Sequence, residues 1–157
     1  MRKQKGFSLI ELLLVVAIIL IISAIAIPNF MRSRMRANEA NAVAGMRVIH
    51  TSAVTYATTY PDVGFPALLT NMGGANPCTA TSTASCLIDN VLALGVKDGY
   101  SYVWTGDGLT PSVGFALTAT PQVVGTSGQR MFCTDQGGTV YYDPTGSGCT
   151  NGSQPLD

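Results

Sequence analysis

The chain has 157 residues, room for one domain of ordinary size, and zero formal net charge from nine basic and nine acidic side chains. That charge is unevenly placed: residues 1–36 carry Arg2, Lys3, Lys5, Arg32, Arg34 and Arg36 against Glu11 alone, while the rest carries Arg47, Lys97 and Arg130 against Glu39 and seven aspartates. A mildly acidic back part argues against a nucleic-acid-binding surface there, and no Gly-rich loop leads into Lys-Ser/Thr, which argues against a nucleotide hydrolase.

The basic stretch MRKQKG opens into an apolar run from Phe7 to Ile27 in which Ser8, Glu11 and Ser23 are the only polar side chains. As a helix this run is about 30 Å long, enough to cross the hydrocarbon of a bilayer. A secretory signal has a shorter apolar core and a small-residue cleavage site. Here the run continues into PNFMRSRMRANEANAV, bulky and basic, so the segment is expected to be retained. Glu11 is the anomaly, because a carboxylate in hydrocarbon costs roughly 2.5–3.5 kcal/mol even on mild insertion scales. A partner is therefore expected for it.

Beyond the run, Met46, Ile49, Ala53, Tyr56 and Tyr60 recur at spacings of three and four, with Asn38, Asn41, Arg47, Thr51 and Thr55 between them. That is one apolar face of a helix. The pattern predicts a single helix from Phe7 to Thr58, apolar all round in its first half and amphipathic in its second, ended at TYPDVG by Pro61 and Gly64. Pro28 removes one backbone hydrogen bond inside it, so a kink or local loosening is expected there. Glu39 is expected to pair weakly with Arg36 at i,i+3 on the helix surface.

Residues 61–99 read as a connecting region. CTATSTASC is a small-residue loop, and LIDNVLALG is a short helix with Gly95 past its end. From Tyr100 the periods shorten: YSYVWT, GFALTAT, RMFCTD and TVYYD are strand-length, rich in aromatic and β-branched residues, and bounded by Gly, Pro or Asp. Gly106–Gly108 and Asp135–Gly138 are predicted turns. The fold class is α+β, the long helix packed on a four-stranded antiparallel meander, with Met46, Ile49, Ala53 and Tyr56 meeting Tyr102, Trp104, Phe115 and Phe132.

The four cysteines Cys78, Cys86, Cys133 and Cys149 form no C-x-x-C pair, and the single His50 lies far upstream, which argues against zinc. An even count beyond a membrane segment favours disulfides in an oxidising compartment, with the C-terminal part outside the cytoplasm. The basic flanks, three residues on each side of the run, leave orientation otherwise undecided. Of the three possible pairings, the shortest loops favour Cys78–Cys86 and Cys133–Cys149. His50 has no nucleophile or second histidine and is expected to be a packing residue. Asp98, Asp107, Asp135 and Asp143 lack the spacing of a calcium loop and read as turn or surface residues. Asn151–Ser153 matches a glycosylation sequon, a pattern common by chance. No catalytic constellation is present, so neither an enzyme nor a cofactor or metal is expected.

The segment Lys5–Pro28, KGFSLIELLLVVAIILIISAIAIP, closely resembles the N-terminus of type IV pilins and of the pseudopilins of type II secretion systems. The shared features are a short basic leader, a Gly, an aromatic, a Glu five residues after the Gly, the long apolar run and the Pro. The resemblance implies that a prepilin peptidase cuts between Gly6 and Phe7 and methylates the new amine of Phe7. Gly6 would let the backbone enter a tight cleft. It implies that Glu11 meets the N-terminal amine of a neighbouring subunit, an arrangement that makes two costly charges tolerable and sets register. It also implies a filament of copies of this chain, drawn from the inner membrane by an assembly platform with a cytoplasmic ATPase, Pro28 loosening the helix as it packs. Cys133–Cys149 resembles the C-terminal disulfide-bounded loop of many pilins.

The implied organisation is a leader at 1–6, a transmembrane and filament-core half-helix at 7–28, its amphipathic half at 29–60, a loop region at 61–99, and the sheet with its C-terminal loop at 100–157. The subunit would span the inner membrane once and then join a surface filament. A pilin is the first reading and a secretion pseudopilin the alternative; the C-terminal disulfide loop and the lack of a calcium-type loop favour the pilin. A membrane-tethered enzyme or binding protein would need a constellation of reactive groups that the sequence does not offer.

Overall fold

The computed structural model describes residues 7–156. Helix α1, Leu9–Thr59, runs unbroken through Pro28, and the chain divides into two compact units between Arg34 and Met35.

The first unit is helical from Leu9, and every large apolar side chain from Phe7 to Met31 is exposed. Its many Val and Ile residues lose rotamer freedom in a helix, yet in hydrocarbon a backbone must satisfy its own hydrogen bonds, and a single segment does that only as a helix.

In the second unit, α1 buries a stripe of Glu39, Ala42, Val43, Met46, Ile49, Ser52, Ala53 and Tyr56. The spacings are again three and four, and Ala42 and Val43 extend the stripe predicted from Met46 onward. A short 3-10 turn (Leu69–Met72) and helix α2 (Asn90–Ala93) follow, and Asp89 caps α2 by accepting the Leu92 amide at 3.0 Å. The antiparallel sheet then runs in chain order: β1 (Val96–Lys97), β2 (Tyr100–Gly106), β3 (Phe115–Pro121), β4 (Met131–Asp135), β5 (Tyr141–Asp143) and β6 (Gln154–Pro155).

The sheet thus has six strands rather than the four expected. The four predicted segments became β2 to β5, and a two-residue strand was added at each edge. Strand β1 pairs Val96 with Ser101 and Lys97 with Tyr100 across Asp98 and Gly99, whose φ angles are both positive, 51° and 77°. Asp-Gly is the pair that the tightest hairpin turn demands, so this edge was written in the sequence. Strand β6 was hidden by Pro155, which donates no ladder bond and is tolerated only at an edge.

Alternate residues of the sheet face the helix. Tyr100, Tyr102, Phe115, Leu117, Ala119 and Phe132 form one buried cluster with Met46, Ile49, Ala53 and Tyr56. Trp104 is half-buried and stacks on Phe115 with centroids 4.1 Å apart, its indole N–H donating to the Pro66 carbonyl at 2.8 Å. Tyr102, Trp104, Phe115 and Phe132 are the aromatics expected to face the helix stripe, and Tyr100, not among those expected, is buried with them.

Glu39 is corrected most sharply. Its partner is Arg130, not Arg36. Glu39 is 6% exposed, because it falls three and four residues before Ala42 and Val43 on the buried stripe. Its Oε1 accepts the amides of Gln129 (2.9 Å) and Arg130 (3.1 Å), and its Oε2 takes the Arg130 guanidinium at 2.8 Å. Burial raises its pKa, but those hydrogen bonds outweigh burial and hold it below the ordinary carboxylate value. Arg130 also lies 5.4 Å from the ring centroids of both Phe132 and Tyr142.

Candidate assembly segment and surface loops

Gly6 and the rest of the basic leader lie outside the described residues. Phe7 is 80% exposed, and α1 starts just after it. Ser8 opens the helix: its carbonyl accepts the amides of Glu11 (3.1 Å) and Leu12 (3.3 Å), while Glu11 Oε2 accepts the Ser8 amide at 2.9 Å. A carboxylate at the third helical position reaching back to the entry residue's amide is half of a capping box, and its charge also suits the positive end of the helix. Sequence reading missed this, although Ser-Leu-Ile-Glu before an apolar run is the signature. Glu11 therefore has a role within its own chain: it satisfies an amide that would be orphaned in hydrocarbon. Beyond it, α1 is long and apolar enough to cross a membrane.

Both disulfides sit in the second unit. Cys78 is joined to Cys86 around the Ser/Thr-rich loop, and Cys133 on β4 is joined to Cys149. Within the second loop, Asp143 Oδ2 accepts from Thr145 Oγ1 (2.6 Å), the Ser147 amide (2.9 Å) and the Gly148 amide (3.3 Å). Led by the Thr145 hydroxyl, these donors hold its pKa down to about 2. Asp107 does the same for the β2–β3 turn, accepting the amides of Leu109, Val113 and Gly114 at 3.1, 2.8 and 2.9 Å. Its pKa is likewise held at about 2, first by the Leu109 amide. Asp135 accepts the Gly137 amide at 2.8 Å and the Asn151 side-chain amide, and Asp98 occupies the β1–β2 turn. The four aspartates are thus turn-forming residues in separate places, and among the described residues no three His, Cys, Asp or Glu side chains gather as a metal site.

His50 is half-buried. Its ring lies against Gly138, its centroid is 6.0 Å from that of Phe115, and Nε2 is 3.3 Å from the Gln136 carbonyl oxygen. It packs the helix onto the β4–β5 turn, the role expected of it.

The N-terminal 27 residues match a protein family described as the prokaryotic N-terminal methylation motif. A fimbrial protein of Pseudomonas aeruginosa is 34% identical over 113 residues, which cover 63% of this chain and 73% of the relative. The chain belongs to the type IV pilin and pseudopilin family. A second relative of this pilin-family chain is the type IV wide pilus major component PilA4 of Thermus thermophilus. It is 59% identical over 39 residues, 25% of this chain. The chain spans only 30% of that relative's length. The type II secretion system core protein G of Vibrio cholerae is 32% identical over 82 residues, 49% of this chain and 56% of the relative. No solved structure matches the chain. The long helix on an antiparallel sheet is the α+β arrangement expected of a pilin-family member.

Proposed function

We propose that this chain is the repeating structural subunit of a type IV pilus. The observation that carries the reading is the helical surface from Phe7 to Met31, on which every large apolar side chain is exposed. In the bilayer lipid covers it; drawn out of the bilayer, it is stable only against copies of itself. A 21-residue apolar helix presents on the order of a thousand Å², a large driving force at about 25 cal/mol per Å², most of it already satisfied by lipid. Extraction therefore needs work, supplied in this reading by an assembly platform with a cytoplasmic ATPase.

Maturation precedes assembly. A prepilin peptidase cuts after Gly6 and methylates the Phe7 amine, consistent with the methylation-motif match. The cut places a positive amine one helical turn from Glu11. The incoming subunit's amine then meets the Glu11 carboxylate of its neighbour, neutralising two charges that are each costly in an apolar packing and fixing the axial stagger. Pro28, which cannot donate to the residue a turn before it, is where the helix loosens. The disulfide loops lie on the filament surface. No enzymatic step belongs to this chain, and the relatives named above are pilus, fimbrial and secretion components.

The secretion pseudopilin is the second reading, favoured by the match to the Vibrio protein. The disulfide-bounded Cys133–Cys149 segment favours the pilin. Intact mass and N-terminal sequencing of the sheared cell-surface fraction separate them. An abundant chain there beginning at methylated Phe7 is expected. The same processed chain confined to membranes would replace the pilin by the pseudopilin, and an uncut Met1 would remove peptidase processing from the account.

A further inference from the structure

Arg32 and Arg34 follow the apolar surface directly, both are exposed, and Arg36 comes two residues later in the sequence. None of the three is in a salt bridge among the described residues; those pair Lys97 with Asp89 and Arg130 with Glu39. This is an expensive place for cations. Basic residues beyond the far end of a span oppose the usual rule that positive charge stays on the cytoplasmic side, and here they equal in number Arg2, Lys3 and Lys5 on the near side.

Helical geometry says what they fit. At 1.5 Å per residue, Arg32 and Arg34 lie about 8 and 11 Å beyond Ile27, where the apolar run of about 30 Å ends, and their long stems reach back to the headgroup layer that flanks the hydrocarbon, about 5–7 Å deep on each side. A step of two residues turns roughly 200° around the helix, so the two guanidiniums point to nearly opposite sides. One carboxylate on a neighbouring protein would be met by side chains on one face. A layer that surrounds the helix is met by side chains all round it, and a guanidinium takes phosphate oxygens in a two-pronged grip.

We propose that Arg32 and Arg34 form a binding collar for anionic phospholipid headgroups, phosphatidylglycerol in type, in the leaflet facing away from Phe7. The collar fixes the depth of the helix before assembly and adds a lipid-dependent hold that extraction must break. The inference rests on the membrane-inserted precursor of the preceding reading. Each arginine at an anionic surface contributes a factor of roughly five, about 1 kcal/mol, so each of the two, holding a headgroup on its own side of the helix, favours phosphatidylglycerol roughly fivefold.

The test uses the full chain in detergent with equal amounts of phosphatidylcholine and phosphatidylglycerol, bound lipids being counted by native mass spectrometry. Wild type is expected to retain phosphatidylglycerol over phosphatidylcholine by roughly fivefold, and Arg32→Gln/Arg34→Gln to bring the ratio to parity. The double Lys variant should keep part of the preference. Equal retention by wild type, or an unchanged preference in the Gln variant, overturns the collar. So does a Gln variant that keeps the lipid preference but fails to build filaments, an outcome that gives these arginines a carboxylate partner on another copy. Insertion into pure phosphatidylcholine vesicles, followed by co-sedimentation, is measured alongside. A wild-type chain that does not insert removes the membrane-inserted precursor itself, whereas insertion without lipid preference removes only the collar.

Discussion

Two glutamates in this chain sit where carboxylates are costly, and each is handled by a different device. Glu39 is enclosed by two backbone amides and a guanidinium. Replacing it by Gln removes the charge and leaves Arg130 without its counter-ion; with the Gln carbonyl kept on the two amides, its NH2 donor is set against the guanidinium. Breaking a buried pair costs about 3–5 kcal/mol, and Arg130 is 37% exposed, so the expected loss for Glu39→Gln is nearer 2–3 kcal/mol. Denaturant unfolding followed by the fluorescence of Trp104, the single tryptophan, reads it at neutral pH. The same measurement carries a pH signature. Because Glu39 is held below its ordinary value, its contribution is complete above the unfolded pKa of about 4.3 and is lost as pH falls through the lower folded value. The gap between wild type and Glu39→Gln should therefore close in acid; a gap constant down to about pH 2 would remove the charged pair as its cause. Glu11, by contrast, makes one hydrogen bond, to the Ser8 amide two residues into the described chain. Glu11→Ala is expected to leave the Trp104-monitored transition unmoved and to move processed chain from the sheared surface fraction to the membrane fraction. Filaments at wild-type yield with unchanged subunit spacing would refute the intersubunit pairing.

At the scale of elements, the junction after α1 depends on one glycine. Gly64 has φ +77°, and a Cβ there would run into the Ser112 backbone. The close approach is what permits the Phe65 amide to reach the Ser112 carbonyl at 3.1 Å and the Ser112 amide to reach the Val63 carbonyl at 2.8 Å, tying the helix exit to the β2–β3 connection. Gly64→Ala is expected to cost at least about 2 kcal/mol, from left-handed strain and backbone overlap together; a denaturation midpoint equal to wild type would show that the two segments separate freely. Gly64 was legible as a helix stop because Pro and Gly punctuate locally. The long helix and the strands β2 to β5 were legible for the same kind of reason, since each repeats its period several times. Strands β1 and β6, at two residues each, are too short to show a period, and only the Asp98–Gly99 turn announced one of them. Glu39 was misread because its neighbour Arg36 is visible in sequence, whereas Arg130 is 91 positions away and is brought near only by the fold. The Ser8–Glu11 cap was visible too, but the cost of the carboxylate drew attention to distant partners before the local amide.

Over the whole molecule, the two disulfides act on segments with different amounts of other support. The Cys78–Cys86 loop is flanked by Ser85, Cys86, Leu87 and Ile88, whose amides donate to the carbonyls of Asn71, Gly73 and Met72 at 2.8–3.0 Å, so the chain there is already tied to the 3-10 turn. The C-terminal tail has less. Strand β6 contributes only the pairs Tyr141–Pro155 and Tyr142–Gln154, supplemented by the Leu156 amide to the Val140 carbonyl at 2.8 Å and the exposed Asn151 side-chain amide on Asp135. Closing a loop of 16 residues limits the unfolded chain by about 3 kcal/mol in the chain-entropy account, and here it also delivers the tail to the sheet edge. Cys133→Ser/Cys149→Ser is therefore expected to lower global stability by about 3 kcal/mol and to open the segment from Thr145 to Gln154 to proteolysis under native conditions. Cys78→Ser/Cys86→Ser should lower stability by slightly less, because the shorter loop restrains fewer unfolded states, and should leave its own loop resistant. Limited proteolysis with mass mapping distinguishes the two variants. Cleavage confined to the Cys78–Cys86 loop in both would place the weak point of the fold there, whereas cleavage in the tail alone follows from a sheet whose last strand is held by a covalent bond and two residue pairs.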